Sequence, residues 1–323
     1  MRLRRLIWLL ALIAAGALGA CAAAPSPTPT VVFQTTVLAP TDTATPFAPA
    51  SATPLPPSPT PAPGAAAPLF SPPEVHFAVI GDFGESGQAE AAVAALVHSW
   101  HPDFILSLGD NDYPVGGANT MQRNVLQYYG EDIAAGHFFP ALGNHDWGTG
   151  KIDAYLRYLR PLGNGRYYQF ARGPVHIFVL DSDYHEPDGA VPDGKQAQWL
   201  QEQLAAATEP WKIVVFHHPP YSSGRHGSTK RMRWPFAQWG ATAVLTGHDH
   251  DYERIMRDGI VYIVNGLGGV SRYPFPNKTP IPGSVLRYNA NYGALKVEAD
   301  AQHLTFQFVT INGKVIDTYT IQR

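Results

Sequence analysis

The chain has a single cysteine, Cys21, in 323 residues. No disulfide can close within it, so a folded state must rest on a packed core rather than on cross-links. Charge is sparse as well: 15% of residues are Asp, Glu, Lys or Arg, and the formal net charge is -3. Basic residues gather into no patch, which excludes the electrostatic footprint a nucleic-acid binder needs. Long apolar runs are missing apart from one near the start, Leu6 to Leu18, which is short for a membrane span. Between residues 22 and 73 charge almost vanishes, with Asp42 alone, while 15 of the 30 prolines fall there among Thr, Ser and Ala. Such a segment cannot bury enough apolar surface to order itself.

The start of the chain has the plan of a targeting segment. Arg2, Arg4 and Arg5 precede the apolar run, and Leu18-Gly19-Ala20-Cys21 resembles a bacterial lipobox, whose cysteine becomes the lipidated N-terminus. We therefore expect a lipoprotein signal peptide over 1–20 and a Pro/Thr-rich tether over 21–73. Extended at about 3.1 Å per residue, that tether would reach about 100 Å or more. The expected location is the cell envelope: exported, with Cys21 anchoring the chain in the bilayer at the outer face of a bacterial membrane. Residues 74–323 are long enough for one domain with a substantial core. Without Arg2, Arg4 and Arg5, 20 basic residues of the 23 face 26 acidic ones, a mildly acidic mature chain.

Within 74–323, five short apolar runs each end in polar residues. Phe77–Ile80 leads to Gly81-Asp82, and Phe104–Leu108 leads to Gly109-Asp110, with Tyr113 three residues on. Pro140-Ala141-Leu142 leads to Gly143-Asn144-His145-Asp146. Ile213–Phe216 leads to His217, and Ala243–Thr246 leads to Gly247-His248-Asp249-His250. Apolar runs bounded by Gly read as buried strands, and ligands of open α/β sheets collect at the carboxyl ends of strands. The pattern also predicts a helix over Gln88–Trp100 capped at Ser86, and further helices over Thr120–Tyr129 and Lys195–Ala207. A short helix is expected around Lys230–Trp239. Hairpins are predicted to turn at Arg172-Gly173-Pro174, Asp258-Gly259 and Asn312-Gly313. Alternating strands and helices followed by antiparallel strands imply an α/β fold in which two packed, mainly mixed sheets are flanked by helices.

In this order the five blocks resemble the calcineurin-like metallophosphoesterases, whose architecture is a four-layer α/β/β/α sandwich. Most members have a His two residues after the first Asp, where this chain has Gly84. A Tyr three residues after the second Asp, here Tyr113, marks the purple acid phosphatase branch, in particular its small tartrate-resistant type. The resemblance implies two metal ions. Asp82, Tyr113 and His250 would hold the first, Asn144, His217 and His248 the second, and Asp110 would bridge them. A hard phenolate donor suits Fe(III) at the first position, and borderline N/O donors suit Zn(II), Fe(II) or Mn(II) at the second. The implied reaction is hydrolysis of phosphomonoesters, small phosphate-ester substrates, by a metal-bridged hydroxide.

By the same resemblance His145 contacts the phosphoryl group, with Asp146 orienting its ring, and His226, nine residues after His217, protonates the leaving alkoxide. His217 and His218 are adjacent, and the family's His-x-Pro pattern selects His217. Tyr252-Glu253-Arg254 is closer to the larger plant-type enzymes, and the loop cysteines of animal relatives are missing. A phosphodiesterase or nucleotide hydrolase on the same scaffold is the rival reading, and a silent surface module would be expected to have lost a ligand.

Overall fold

The computed structural model describes residues 74–323; the signal peptide expected over 1–20, Cys21 and the tether over 21–73 lie outside the described residues. In chain order the first half contains β1 (Val75–Ile80), α1 (Gln88–Ser99), β2 (Phe104–Ser107), α2 (Gln127–Ala135), β3 (Phe138–Phe139), α3 (Asp153–Leu159), β4 (Tyr168–Arg172), β5 (Val175–Val179) and α4 (Lys195–Ala206). The second half contains only strands as long elements: β6 (Trp211–Val215), β7 (Ala243–Thr246), β8 (Tyr252–Arg257), β9 (Ile260–Asn265), β10 (Ser284–Tyr288), β11 (Gly293–Ala299), β12 (His303–Thr310) and β13 (Val315–Gln322).

The strands form two mixed sheets, ordered β13-β12-β11-β1-β2-β3 and β10-β8-β9-β7-β6-β5-β4. Parallel pairing is confined to β1-β2-β3 in the first and β5-β6-β7-β9 in the second. Side chains alternate across each strand. From β1, Val75, Phe77 and Val79 point between the sheets, where they meet Ile213, Val215, Ile263 and Phe306. Ala78 and Ile80 point the other way, onto Val93 and Val97 of α1 and Tyr129 of α2. On the far side of the second sheet, Val214 and Val244 pack on Leu200 and Leu204 of α4. Three apolar layers separated by two sheets are the α/β/β/α sandwich that the alternation of strands and helices implied.

Five local expectations change. The run Pro140-Ala141-Leu142 is not a strand: β3 is the pair Phe138–Phe139 just before it, and Pro140 supplies no N–H to continue the ladder. Ser86 does not cap α1. Its φ is 63°, and its N–H donates to the Glu90 carboxylate at 2.6 Å, so the side chain from the first turn reaches back and the cap residue is Gly87. The helix expected from Thr120 begins as a π-helical turn, Gln122–Leu126, before α2, which ends at a left-handed Gly136. Only a 3-10 turn, Lys230–Met232, forms where a helix was expected to Trp239. Pro235 supplies no N–H and disfavours the helical region for Trp234. The strands β10 and β11 and helix α3 were not expected. The turn at Asp258-Gly259 has both residues at positive φ, 53° and 84°, which suits the right-handed twist of β8 and β9.

Candidate metal centre

The parallel strands of both sheets end on one side, and their carboxyl ends deliver the site. Asp82 follows β1, Asp110 and Tyr113 follow β2, Asn144 and His145 follow β3, His217 follows β6, and His248 and His250 follow β7. Asp82, Asp110 and His248 adopt left-handed backbone, at φ 56°, 51° and 72°. Non-glycine residues rarely do so, and strain of this kind concentrates where the fold must aim a functional group. The surrounding bonds hold it: the His248 N–H donates to Asp82 Oδ2 at 2.9 Å, and the His145 N–H to Asp110 Oδ1 at 2.8 Å.

Two groups of donor atoms result. In the first, the Tyr113 hydroxyl lies 3.3 Å from Asp82 Oδ1, 3.0 Å from Asp110 Oδ2 and 3.3 Å from His250 Nε2. His250 Nε2 is 3.4 Å from Asp82 Oδ1. In the second, His217 Nε2 lies 3.1 Å from each of Asp110 Oδ2, Asn144 Oδ1 and His248 Nδ1. Atoms bound about 2.1 Å from one ion are spaced about 3.0–3.4 Å from one another, and both groups fall in or at that range. Asp110 Oδ2 belongs to both. Among the described residues, Asp110, His217 and His248 form a cluster of side chains able to hold an ion.

The protonation of these groups fits a cation site. Burial would push the Asp110 carboxyl up, but the charged His217 ring beside it holds it well below the usual carboxylate range. Burial would in turn lower His217, yet the Asp110 and Asp82 charges lift it to about 10. His217 Nδ1 is tied to the Leu108 carbonyl at 2.9 Å, which aims Nε2 inward. His218 points elsewhere, its Nδ1 2.9 Å from Ser182 Oγ, so His217 is the imidazole in the cluster.

The remaining expected residues divide. His145 lies beside the cluster, its Nε2 3.9 Å from Asp110 Oδ2 and its ring 4.1 Å from that of Tyr113. Asp146 does not orient that ring. Its carboxylate is fully buried and accepts from the Asn111 backbone at 3.1 Å, the Asn111 amide at 2.9 Å and the Gly143 N–H at 2.8 Å. Burial and the Asp110 charge push it up to about 8. The Pro114 carbonyl, 2.5 Å from His145 Nδ1, takes the orienting role instead. The His226 ring is exposed and lies 4.4 Å from that of His248.

Residues 75–252 match the calcineurin-like phosphoesterase family, and residues 259–318 match the iron/zinc purple acid phosphatase-like protein C family. The chain belongs to the calcineurin-like phosphoesterase family. It is 26% identical over 301 residues to tartrate-resistant acid phosphatase type 5 of Mus musculus, covering 78% of this chain and 91% of that protein. It is 28% identical over 238 residues to purple acid phosphatase 17 of Arabidopsis thaliana, covering 62% and 70%. The purple acid phosphatase of yellow lupin (Lupinus luteus) seeds has the same fold, at a TM-score of 0.67 and 19% identity over 78% of this chain and 54% of that one.

Gly84, which replaces the His common in this family, has a steric basis. A Cβ there would lie 1.7 Å from the Asn111 carbonyl oxygen, and the Gly84 carbonyl accepts the Tyr113 N–H at 2.7 Å. The loop after β2 presses so closely on Gly84 that no side chain fits, and the same approach delivers the Tyr113 hydroxyl.

Sequence reasoning missed the residues that hold the His226 loop. Asp249, between the two histidines of its block, accepts the His226 N–H at 2.6 Å and the Gly227 N–H at 3.2 Å, as well as the Ser222 hydroxyl. A Cβ on Gly224 would strike Asp249 Cγ at 2.3 Å. Glu253 accepts from Ser223 at 2.6 and 2.7 Å. It also missed Tyr273, whose ring stacks on His250 at 4.1 Å and 8°. The bracketing of His250 by Asp249 and Glu253 was readable, but the partners of these carboxylates lie 22 to 30 residues away in a loop without periodicity.

Proposed function

We propose that this protein hydrolyses phosphomonoesters at a dinuclear centre. Asp82, Tyr113 and His250 would hold Fe(III). Asn144, His217 and His248 would hold Zn(II), Fe(II) or Mn(II), and Asp110 would lie between the ions. The observation that carries this reading is the position of Asp110 Oδ2, 3.0 Å from the Tyr113 hydroxyl and 3.1 Å from His217 Nε2. When bound, two such ions supply Lewis acidity, lowering the pKa of water and neutralising charge at phosphorus. The chain's own residues do the rest. As an imidazolium, His145 donates one N–H to the Pro114 carbonyl and offers the other to a phosphoryl oxygen over the centre. As the bond from phosphorus to the leaving oxygen breaks, His226 gives that oxygen a proton. The Asp249 and Glu253 carboxylates keep the loop from drifting, so the proton donor stands where the alcohol departs.

We also propose that the enzyme is exported and held at the outer face of a bacterial membrane through lipidated Cys21. The Leu18-Gly19-Ala20-Cys21 block and the run Leu6 to Leu18 support this. Among the described residues no helix is long and apolar enough to cross a membrane.

Metal analysis, a visible spectrum and a panel of phosphate mono- and diesters on the purified protein test the catalytic reading. A phenolate on Fe(III) absorbs in the visible, so the iron-loaded protein is expected to be pink to purple. Tyr113→Phe is expected to bleach the colour while leaving the fold intact. A colourless iron-loaded wild type, or a full band in Tyr113→Phe, would remove Tyr113 from the ligand set. Faster turnover of diesters than of monoesters would overturn the monoesterase assignment.

A further inference from the structure

The loop that carries His226 also carries a cation without an anionic partner. Arg225 is exposed, and among the described residues its guanidinium has neither a carboxylate at ion-pair distance nor a hydrogen bond. Three other arginines are engaged by anions or carbonyls: Arg166 with Glu186 and Asp188, Arg254 with Asp317, Arg272 with the Asn289 carbonyl. Arg225 is nonetheless placed. Its guanidinium lies 4.7 Å over the Tyr273 ring, and that ring stacks on His250 while the Tyr273 N–H donates to the His250 carbonyl at 3.0 Å. The backbone on either side of it is held by the Asp249 and Glu253 carboxylates.

A guanidinium held over an aromatic face is partly desolvated, and its fork of N–H groups matches a carboxylate or phosphoryl group. It directly precedes His226, the residue assigned to the leaving oxygen, and the Tyr273 ring that it covers lies 5.5 Å from the His226 ring, which puts its charge on the side of the departing group. We infer that Arg225 forms an anion subsite for the leaving group, which directs the enzyme to phosphomonoesters whose leaving group carries its own carboxylate or phosphoryl charge. This rests on the phosphomonoesterase reading above.

The test is a comparison of kcat/KM on the full chain for phenyl phosphate, 3-carboxyphenyl phosphate and pyrophosphate. The first two differ by one carboxylate at nearly equal leaving-group basicity, and the third, an anhydride rather than an ester, has a leaving group that carries a phosphoryl charge, so it is compared only between variants. Wild type is expected to prefer 3-carboxyphenyl phosphate to phenyl phosphate. That preference, and the pyrophosphate kcat/KM relative to phenyl phosphate, should fall by about 10- to 100-fold in Arg225→Ala, the range of a charged hydrogen bond. The preference should largely survive in Arg225→Lys and reverse in Arg225→Glu. Loss with only one of the two anionic substrates assigns the subsite to carboxylate or to phosphoryl. If wild type hydrolyses all three and the ratios are the same in every variant, Arg225 is not a subsite and the phosphomonoesterase reading stands. If wild type hydrolyses none, both fall together.

Discussion

At the scale of single residues, close approach decides the chemistry. Gly84 is required because the Asn111 carbonyl occupies the space of a side chain, and the same contact sets the Tyr113 hydroxyl 3.0 Å from Asp110. Gly84→Ala is expected to destabilise the fold by about 1–3 kcal/mol, the usual range for overpacking against a rigid neighbour, and to weaken the visible band by displacing Tyr113. Thermal unfolding and absorbance check the two effects separately. Glu90 is a second case. It is buried beside Tyr129, one oxygen has no partner, and burial lifts its pKa from 4.5 to about 9 against the Ser86 and Glu85 N–H groups. The folded state therefore keeps its proton over a range where the unfolded chain has lost it. This contribution to stability is full below about 4.5 and declines as pH rises towards 9. Glu90→Gln should remove the decline, so its melting-temperature advantage over wild type should grow from about pH 5 to about pH 8. An advantage that does not change with pH would mean Glu90 is ionised in the fold.

At the scale of elements, the loop 222–228 is a long connection made rigid by carboxylates from the segment after β7. Asp249 takes three donors from it, and Glu253 takes two from Ser223. Five hydrogen bonds therefore tie the loop to the segment that carries His248 and His250. His226→Ala is expected to reduce kcat about 100-fold for alkyl phosphates and much less for activated aryl phosphates, whose leaving groups need no proton. Asp249→Ala should show the same leaving-group dependence at unchanged metal content. Because both act through one proton transfer, the double variant should be little worse than His226→Ala. Additive losses would show that Asp249 acts by another route, and a loss equal for all leaving groups would make His226 a binding residue.

At the scale of the whole molecule, two sheets carry the centre between them. β1 to β3 bring Asp82, Asp110, Tyr113, Asn144 and His145 from one sheet, and β6 and β7 bring His217, His248 and His250 from the other. The 28-residue inter-sheet cluster, from Val75 to Phe308, locks the sheets together and fixes the distance between the two donor groups. Every donor of the two groups comes from residues 82–250. Cys21→Ser is therefore expected to move the protein from the membrane fraction to the soluble fraction with kcat/KM unchanged. Equal partitioning of wild type and Cys21→Ser after cell fractionation would remove the lipid anchor.

The amino-acid order alone determined that apolar strands end in Asp, Asn, His and Tyr, because a strand's period and its terminating glycine are local properties. It therefore determined the two packed sheets, the blocks that form the cluster, and the turn at Asp258-Gly259, whose backbone demands are met by the residues themselves; at Asn312-Gly313 the chain also turns, but through a longer connection in which only Gly313 has positive φ. It could not determine contacts between segments far apart in the chain. Whether His217 or His218 faces Asp110 depends on which ring meets the Leu108 carbonyl and which meets Ser182. The role of Asp146 depended on Asn111, 35 residues earlier, claiming its carboxylate before His145 could. The end of the turn at Met232 followed from Pro235, but β10, β11 and the placement of Tyr273 against His250 required the second sheet to exist first. Periodicity is written in neighbours, while the aim of a side chain is set by whatever packs against it, and only the folded chain brings those partners together.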